Sequence, residues 1–531
     1  MIRRRHRLTS GLFALLVGIT ACGGGGSVGG SDGEPQRGGS FISGLYLEPL
    51  ALDPHRQGFW ETYRVSRNIF DGLTSEDLSD PKGPVKIVPA LATSWNASPD
   101  AKNWTFHLRK GVTFHDGSPF NAEALDKNVR RVADPSYRFF DTQSRSRLAA
   151  WFNHFTGGKI IDEFTYTFSF SKPELGFPRG LAQSMGTLAI GNPAVWEKYG
   201  NDGFAEHPEG TGPYTFVSRK IGDRITLRRN PKYWGGRPNL DELIFRVIPN
   251  NQTRLAALLS GEVDQISYVQ PDDIETLTKQ GFQVPDGTGA SYIYFSYNFT
   301  NPALRDERVR KALIYGLDRQ KLINEVYDGY GVPDYSTFHP GNEAYQPGVK
   351  DFAFDTAKAT GLLAQSGYGA GKPLRLNLVV DVANTNLAQW LQNQYKKIGV
   401  DFTIVSLDRP SYVARIGSPQ PDDGFDISEY GGSYAEWLDY VVNSGINGRK
   451  GGADVVKTYP DLSGAIDKAD NTTDPGTRIA RWRDADAILR QKALTIPVFT
   501  YTKYYAYSPR VHGFVWPATN GYDLTKVWLS D

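Results

Sequence analysis

Few residues in this chain have the types and spacing that catalysis or metal binding requires. Gly25, Ser27 and Gly29 fit the G-x-S-x-G elbow of serine hydrolases, but no strand precedes them and no helix follows them. Residues 367–372 (GYGAGK) lack the following Ser or Thr and the full spacing of a phosphate-binding loop. There is no H-E-x-x-H run and no cluster of Cys and His. We therefore expect no catalytic site, no bound metal and no cofactor.

Scattered carboxylates leave one catalytic alternative open. Paired Asp and Glu side chains perform glycoside hydrolysis, and the 58 acidic residues of this chain are distributed along its whole length. A secreted hydrolase therefore remains the alternative from a different class of protein.

The composition describes an ordinary globular protein. Of 531 residues, 40% are hydrophobic and 22% charged, and 59 basic residues nearly balance the 58 acidic ones. This balance gives no reason to expect a nucleic-acid partner. Aromatic residues reach 13%, which is typical either of a ligand cleft or of plain core packing.

The first residues carry export and anchoring signals. Residues 3–7 are basic, and residues 11–19 (GLFALLVGI) are apolar but short for a membrane span. Small residues then precede Cys22, the only cysteine of the chain, and this arrangement resembles a bacterial lipobox. By that resemblance, residues 1–21 are a signal peptide and Cys22 carries a diacylglycerol anchor. The alternative is an ordinary signal peptide with an incidental cysteine.

A flexible tether is predicted to follow the anchor. Residues 22–37 are rich in Gly and Ser and lack apolar periodicity. We expect the bulk of the chain to sit at the extracytoplasmic face of the cell membrane, as a lipoprotein.

Residues 92–129 form the stretch around which the chain is organised. Large and polar residues alternate over residues 104–108 and again over residues 112–116, which predicts two half-buried strands. Asn121 precedes apolar residues at helical spacing and is predicted to cap a helix that reaches about Val132. The stretch contains no arrangement for chemistry, so we interpret it as a scaffold.

Strands and helices alternate along the remaining chain, which predicts an α/β fold. A helix is predicted over residues 64–73, and Asp306 and Arg310 are predicted to pair one turn apart on another helix. Residues 496–507 form an aromatic, β-like run. Because no later lobe follows them, we expect them to return to the first lobe.

Several stretches together resemble the family 5 extracellular solute-binding proteins of bacterial ABC importers, the dipeptide, oligopeptide and nickel-binding type. The matching stretches follow the family's order over nearly all of the chain after the tether. They are residues 52–55 (LDPH), 65–73 (VSRNIFDGL), 94–123 (SWNASPDAKNWTFHLRKGVTFHDGSPFNAE), 210–216 (GTGPYTF), 229–243 (RNPKYWGGRPNLDEL), 257–264 (ALLSGEVD) and 306–323 (DERVRKALIYGLDRQKLI).

The resemblance implies an α/β, two-lobed clamshell of the periplasmic-binding-protein type (class II), with an extra α/β domain inserted into the first lobe. Ligand would bind between the lobes, and closure would bury it. The implied division is lobe I over residues 38–73, 186–288 and 497–531, the inserted domain over residues 74–185, and lobe II over residues 289–496.

The resemblance also places the ligand between two segments. The first follows the LDPH turn and contributes Gln57, Phe59 and Trp60. The second is a loop of lobe II within residues 425–440 (FDISEYGGSYAEWLDY). Its implied ligand-binding residues are Glu429, Tyr430, Ser433, Tyr434, Glu436 and Trp437.

One departure from the family pattern bears on the ligand. Peptide-binding members often carry an Asp in this loop that pairs with the α-ammonium of the peptide, and the matching position here is Ser433. A serine cannot neutralise a buried ammonium. Either Glu429 or Glu436 replaces the carboxylate, or the ligand lacks a free α-amine there. Both carboxylates could instead only face solvent.

The ligand and partners follow as expectations. An oligopeptide is favoured, and an oligosaccharide or other non-peptide solute is the alternative because the loop is aromatic. Metal binding is not expected, since the loop contains no histidine. The implied partners are an ABC permease with its ATPase subunits and the membrane through Cys22. We expect a monomer that is not an enzyme.

Overall fold

The computed structural model describes residues 34–49, 51–56, 60–77, 86–152, 154–182, 188–285, 291–339, 342–369, 371–431, 438, 441–442, 452–501, 504–515 and 523–531. Met1–Pro35 and Gln36–Asp531 are separate units of the chain, and all elements below belong to the second.

Strands of the second unit run from near its start to its last residues. In chain order they are β1 (Ser40–Leu45), β2 (Thr74–Asp77), β3 (Lys86–Pro89), β4 (Ala92–Ala97), β5 (Asn103–Leu108), β6 (Phe155–Asp162), β7 (Thr165–Phe170), β8 (Tyr214–Lys220), β9 (Arg224–Arg229), β10 (Glu242–Val247), β11 (Gln265–Val269), β12 (Ser291–Tyr297), β13 (Val332–Pro333), β14 (Leu374–Asp381), β15 (Val400–Leu407), β16 (Asp423–Gly431), β17 (Thr495–Tyr501), β18 (Tyr504–Tyr507), β19 (Val511–His512) and β20 (Trp528–Leu529).

Helices are interspersed with these strands. They are α1 (Trp60–Ser66), α2 (Ala122–Ala133), α3 (Thr142–Phe152), α4 (Phe177–Gly180), α5 (Pro193–Glu206), α6 (Asn251–Leu259), α7 (Pro271–Lys279), α8 (Pro302–Arg305), α9 (Glu307–Tyr315), α10 (Arg319–Val326), α11 (Thr356–Gln365), α12 (Thr385–Lys396), α13 (Arg409–Gly417), α14 (Gly452–Val456), α15 (Pro460–Asp470) and α16 (Pro475–Gln491).

Three main sheets organise these elements. Lobe I is built on a six-stranded sheet in the order β18-β11-β1-β10-β9-β8, and lobe II on a six-stranded sheet in the order β13-β17-β12-β16-β14-β15. The inserted domain is built on the four-stranded antiparallel sheet β4-β5-β7-β6, against which α2 packs. Each of the three has its own buried apolar core. The α/β fold with two lobes is thus confirmed.

The chain passes between the two main sheets twice, and the described residues that flank these two crossovers pair with each other. On the lobe I side, Gln283 and Tyr507 exchange two backbone hydrogen bonds of 3.0 Å. On the lobe II side, Ser291 of β12 pairs with Tyr501 of β17. Strand β17, which ends at Tyr501, is buried in the lobe II sheet, and β18, which begins at Tyr504, pairs with β11 in the lobe I sheet.

The 92–129 stretch differs from its predicted form in one element. Strand β5 and the helix cap are present, and the side chain of Asn121 accepts a hydrogen bond from the backbone of Ala124. Residues 112–116 do not form a strand. Phe114 instead donates its backbone N–H to Ser118 in a turn, and His115 donates its N–H to Gly210. Among the described residues, their β pairing is limited to one isolated bridge between Thr113 and Pro119.

Two helix predictions are corrected as well. Helix α1 covers Trp60–Ser66 rather than residues 64–73, and turns follow it because the backbone of Ile69 accepts a bond from Gly212. Asp306 does not pair with Arg310. Asp306 caps α9 and binds Arg308 at 2.7 Å, whereas Arg310 is buried and donates to backbone carbonyls.

The buried carboxylate of Asp71 binds residues from motifs that are far apart in the sequence. Asp71 accepts hydrogen bonds from Thr211 Oγ1 (2.8 Å), Tyr233 OH (3.0 Å) and Trp234 Nε1 (2.8 Å). Burial raises the pKa of Asp71 above its usual value, although these three donors oppose the shift. Arg109 of the inserted domain lies over the ring of Trp234 at 4.5 Å. These contacts therefore join three motifs of lobe I, residues 65–73, 210–216 and 229–243, to residues 94–123 of the inserted domain.

Candidate functional site

The turn that precedes the candidate loop of lobe I is fixed by a buried arginine. Arg131 of α2 donates to Asp53 Oδ2 at 2.6 Å and to Asp141 at 3.0 Å, and all three side chains are buried. It also donates to Nδ1 of His55 at 3.0 Å. Since Nδ1 accepts, Nε2 of His55 carries the proton and donates to the carbonyl of Ala189 at 2.7 Å.

Charge and packing both favour this arrangement. The guanidinium of Arg131 lies 5.3 Å from the ring of Trp196 and 5.1 Å from that of Phe204. Burial acts to raise the pKa of Asp53, but the charge and hydrogen bond of Arg131, together with the hydrogen bond from the backbone N–H of His55, outweigh it, so the pKa of Asp53 lies below its ordinary value. The LDPH turn is therefore held as an ionised cluster, and the chain leaves it toward the candidate loop at a fixed position.

Helix α1 connects the candidate loop to the strands beside the crossovers. Glu61, in its first turn, accepts a hydrogen bond from Ser267 of β11 at 2.8 Å. Arg64, one turn later, pairs with Glu61 at 2.5 Å and donates to the hydroxyl of Tyr505 on β18 at 2.7 Å. Glu61 and Arg64 are each 1% exposed. Because β18 follows the second crossover directly, the buried residues Glu61 and Arg64 connect α1 to the crossovers, which form the hinge between the lobes.

Strand β16, which carries the first candidate residues of lobe II, ends beside the same crossovers. In β16, Tyr430 is paired with Tyr292 and Glu429 with Ile293, while Gly431 lies opposite Ser291. Ser291 is the first residue of β12 after the first crossover. The backbone of β16 therefore ends beside both crossovers, and the chain continues from this point into the remainder of the predicted loop.

Most residues of the sequence-predicted site lie outside the described part of the chain. Gln57, Phe59, Ser433, Tyr434, Glu436 and Trp437, together with Cys22, fall there. Trp60 begins α1, and Glu429 and Tyr430 are near the end of β16. The structure thus locates both flanks of the candidate site by their backbones, one on each lobe and each beside the crossovers.

Sequence reasoning missed two aromatic pairs at the inner ends of the sheets. Tyr46 follows the parallel strand β1 and lies 5.2 Å from Tyr268 of β11, ring centre to ring centre. Carboxyl ends of parallel strands are the usual edge for ligand sites in α/β sheets. In lobe II, Tyr292 stacks on His339 at 4.4 Å. The sequence signal available was a tyrosine directly after a strand, at position 46.

Tyr268 is also conformationally unusual. It adopts φ +63, a left-handed value that is rare for a residue with a bulky side chain. The ladder of β11 is irregular between Ser267 and Val269, and Arg254 donates to the carbonyls of Ser267 and Tyr268 at 2.9 and 3.0 Å. The buried arginine thus holds Tyr268 in a conformation that turns the strand end, a kind of strain that is concentrated at functional sites.

A shallow pocket is present in lobe II, but not at this site. It is lined by residues around the far end of β12 and by α13, including Tyr297, Arg415 and Asp423. Arg415 and Asp423 are bound to each other through two hydrogen bonds of 2.8 and 2.9 Å. Since Tyr297 is at the opposite end of β12 from Ser291, we do not assign this pocket to the ligand.

Within the described ranges, no group of three or more His, Cys, Asp or Glu side chains is arranged to hold a metal ion. In that same part of the chain, no helix combines the length and apolar character that a membrane crossing needs.

Two sheets joined by paired crossovers, with candidate segments on both sides of the hinge, define a two-lobed binding protein. Residues 86–448 match the family model of bacterial extracellular solute-binding proteins, family 5 (middle region). The match covers more than half of the chain, so the protein belongs to this family, and the resemblance drawn from its motifs is confirmed.

Individual relatives cover nearly the same length. The dipeptide-binding protein of Escherichia coli is 27% identical over 477 residues, which cover 82% of this chain and 84% of that protein. Heme-binding protein A of Haemophilus influenzae is 27% identical over 476 residues, with 83% and 84% covered. The periplasmic binding protein DppA of Helicobacter pylori, solved with the peptide STSA, is 25% identical, has a TM-score of 0.83, and matches over 93% of this chain and 99% of that one.

Proposed function

We propose that this protein captures a peptide-like ligand between its two lobes and delivers it to an ABC-type permease for import. The observation that carries the proposal is the convergence of both candidate segments on the paired crossovers, one from each lobe. A ligand that contacts both segments stabilises the closed arrangement over the open one. The named ligands of two relatives, a dipeptide and the peptide STSA, support the peptide class.

The ligand-binding residues of the proposal are those of the two segments. Gln57, Phe59 and Trp60 contribute from lobe I, and Tyr430, Ser433, Tyr434 and Trp437 from lobe II. We propose that Glu429 or Glu436 replaces the carboxylate that would pair with a peptide α-ammonium. Glu429→Gln and Glu436→Gln separate the two, because only the residue that pairs with the ammonium should weaken peptide binding when neutralised.

Mass spectrometry of ligand that co-purifies with the protein tests the ligand class. The expected result is one or more short peptides. Addition of a binding peptide at about 100 times its dissociation constant should stabilise the fold by roughly 2.7 kcal/mol, which is measurable as a rise in Tm. No response to any di- to octapeptide contradicts the peptide class, and a response to oligosaccharides supports the alternative.

We further propose that Cys22 anchors the protein to the extracytoplasmic face of the membrane, that the protein acts as a monomer, and that it has no catalytic activity. A single diacylglycerol-modified cysteine would hold the receptor near its permease. Cys22→Ser should move the protein from the membrane fraction to the soluble fraction. Hydrolysis of peptides or glycosides above background would contradict the non-enzymatic role and support the tethered hydrolase.

A further inference from the structure

The inserted domain touches lobe II directly, although no chain connection joins the two. Nζ of Lys172, just after β7, lies 3.1 Å from Oδ1 of Asp467 on α15. Arg179 of α4 donates to Oε1 of Glu343 at 2.6 Å. Both ends of the inserted domain continue into lobe I. These contacts therefore span the two bodies independently of the crossovers.

An indole lies at the same seam. Trp151, near the end of α3, packs against the apolar core of the inserted domain and also against that of lobe II. A Cβ at position 180 would come within 2.2 Å of Cε3 of Trp151. Gly180 therefore lets the ring lie directly on the backbone of α4, next to Arg179.

The seam is the contact between the inserted domain and lobe II, and the residues on each side of it are held by hydrogen bonds within their own domain. On the inserted-domain side, Thr74 donates to the carbonyl of Pro178 at 2.7 Å. On the lobe II side, Arg483 of α16 donates to the carbonyls of Ala344 at 3.1 Å and Glu343 at 3.2 Å. Because the partners are positioned in advance, less conformational entropy is lost when the seam forms.

We propose that the arrangement of the lobes in this structure is the closed one, and that Trp151, Lys172, Arg179, Glu343 and Asp467 form a clasp that stabilises it without touching the ligand. The inference rests on the proposed closure around a ligand. The apparent dissociation constant equals the intrinsic constant divided by the fraction of molecules that can bind productively. The clasp raises that fraction, so it sets affinity from outside the cleft.

The clasp is tested by measuring closure in the absence of ligand. The full chain carrying Cys22→Ser would be labelled at Lys159→Cys in the inserted domain and Lys396→Cys in lobe II, two exposed positions, and the interlobe distance followed by single-molecule energy transfer. Arg179→Glu and Glu343→Arg should each lower the closed-to-open ratio 3- to 10-fold. The double reversal should restore it to within twofold of the unmodified clasp. Trp151→Ala should lower it at least as much as either reversal.

A matched control uses an ion pair that does not cross the seam. Lys127 and Glu197 lie 2.9 Å apart with exposures similar to those of Arg179 and Glu343. Lys127→Glu should leave the closed-to-open ratio unchanged. An unchanged ratio in both Arg179→Glu and Trp151→Ala, in chains that keep their circular-dichroism spectrum, would overturn the clasp. So would a wild-type chain that never closes without ligand.

The proposed peptide function is read separately in the same experiment. Trialanine added to the wild-type chain should shift the distribution further toward the closed state. In one outcome, trialanine has no effect while the charge reversals still lower the closed fraction without ligand. That result supports the clasp and contradicts the peptide class of ligand. If trialanine closes all variants equally well at the same concentration, the result contradicts the clasp and supports the peptide class of ligand.

Discussion

Arg64 donates a hydrogen bond to the hydroxyl of Tyr505 at 2.7 Å, and its guanidinium also lies 5.1 Å from the centre of the tyrosine ring. Arg64 is in the helix that follows the candidate loop, and Tyr505 is in the strand that follows the second crossover. A single buried contact thus joins a candidate ligand-binding segment to the hinge.

Removal of this hydroxyl should destabilise the fold measurably. Tyr505→Phe leaves the ring but removes a partner of a buried guanidinium, and hydrogen bonds to charged groups contribute about 1.5–3 kcal/mol. Urea denaturation should show a loss of that size. Tyr214→Phe is the control, since the buried hydroxyl of Tyr214 has no hydrogen-bond partner among the described residues. Equal losses in both variants would show that the Arg64 contact contributes nothing specific.

Arg131 and its neighbour Arg130 provide a test of the buried cluster at the LDPH turn. Arg131→Met removes the fully buried cation between Asp53 and Asp141. Of the described cations it leaves them only Arg56, which is 3.7 Å from Asp53 and 2.5 Å from Asp141, so we expect a loss of about 3 kcal/mol, the lower end of the range for a broken buried pair. Arg130→Met removes the partly exposed pair with Asp134 and the contact with the ring of Tyr137, and should cost about 1 kcal/mol. Guanidinium denaturation measures both.

The same cluster predicts an acid-sensitive step. Because the pKa of Asp53 is lowered in the folded chain, its contribution to stability is present above the unfolded pKa and is lost as the pH falls through the folded value. The difference in unfolding free energy between wild type and Arg131→Met should therefore shrink as the pH is lowered below about 4. A constant difference would contradict an ionised Asp53.

Asp334 predicts a pH dependence of the opposite sign. It lies beside the hinge strand β17, where Thr500 donates to its carboxylate, and burial raises its pKa to about 7. A raised carboxyl pKa means that the folded chain binds the proton more tightly than the unfolded chain. This contribution to stability is present below about pH 4 and is lost as the pH rises to about 7.

Asp334→Asn should remove this slope. Between pH 5 and pH 8 the variant should gain about 2 to 3 kcal/mol of unfolding free energy relative to the wild type. Asp401→Asn, at an exposed position of β15, is the control and should follow the wild type. The variant is compared with the wild type because His115 changes the pH dependence of stability in the opposite direction. Burial lowers the pKa of His115 to about 4. Parallel pH profiles for Asp334→Asn and wild type would contradict the prediction.

The lobe II loop is tested by Trp437→Ala. If the indole packs on the ligand, binding of a co-purifying peptide should weaken about tenfold or more, the range of interface anchors that cost above 1 kcal/mol, while Tm of the ligand-free protein changes little. Trp390→Ala is the control, since Trp390 is on α12 and bonds Glu325 within lobe II. Titration calorimetry measures both. Unchanged affinity in Trp437→Ala would remove this residue from the site.

Local patterns predicted some elements well. The alternation in residues 104–108 marks β5, and Asn121 caps α2, because both depend on side chains within a few residues of one another. Residues 112–116 alternate in the same way but form turns. Their backbone N–H groups bond to the carbonyls of Ser118 and Gly210. The bond to Gly210, about 95 positions away, leaves no signal in the local sequence.

The supporting residues of the candidate site show the same limit. Within its helix, Arg131 reads as one of two consecutive surface arginines, yet it is fully buried because Asp53, Asp141 and two aromatic rings meet there in the fold. Tyr268 gives no sequence signal for its left-handed conformation, which depends on Arg254. Motif resemblance located the two candidate segments, whereas the contacts that hold their flanks required tertiary structure.

The order of strands in the lobe I sheet has a consequence for biosynthesis. Strand β18 pairs with β11 but is made after every strand of lobe II, because residues 291–501 lie between β11 and β18 in the sequence. Lobe II can assemble its sheet from one uninterrupted segment while the edge of the lobe I sheet still lacks its partner. The backbone groups of β11 that bond to β18 therefore stay without this partner until the last part of the chain has been made.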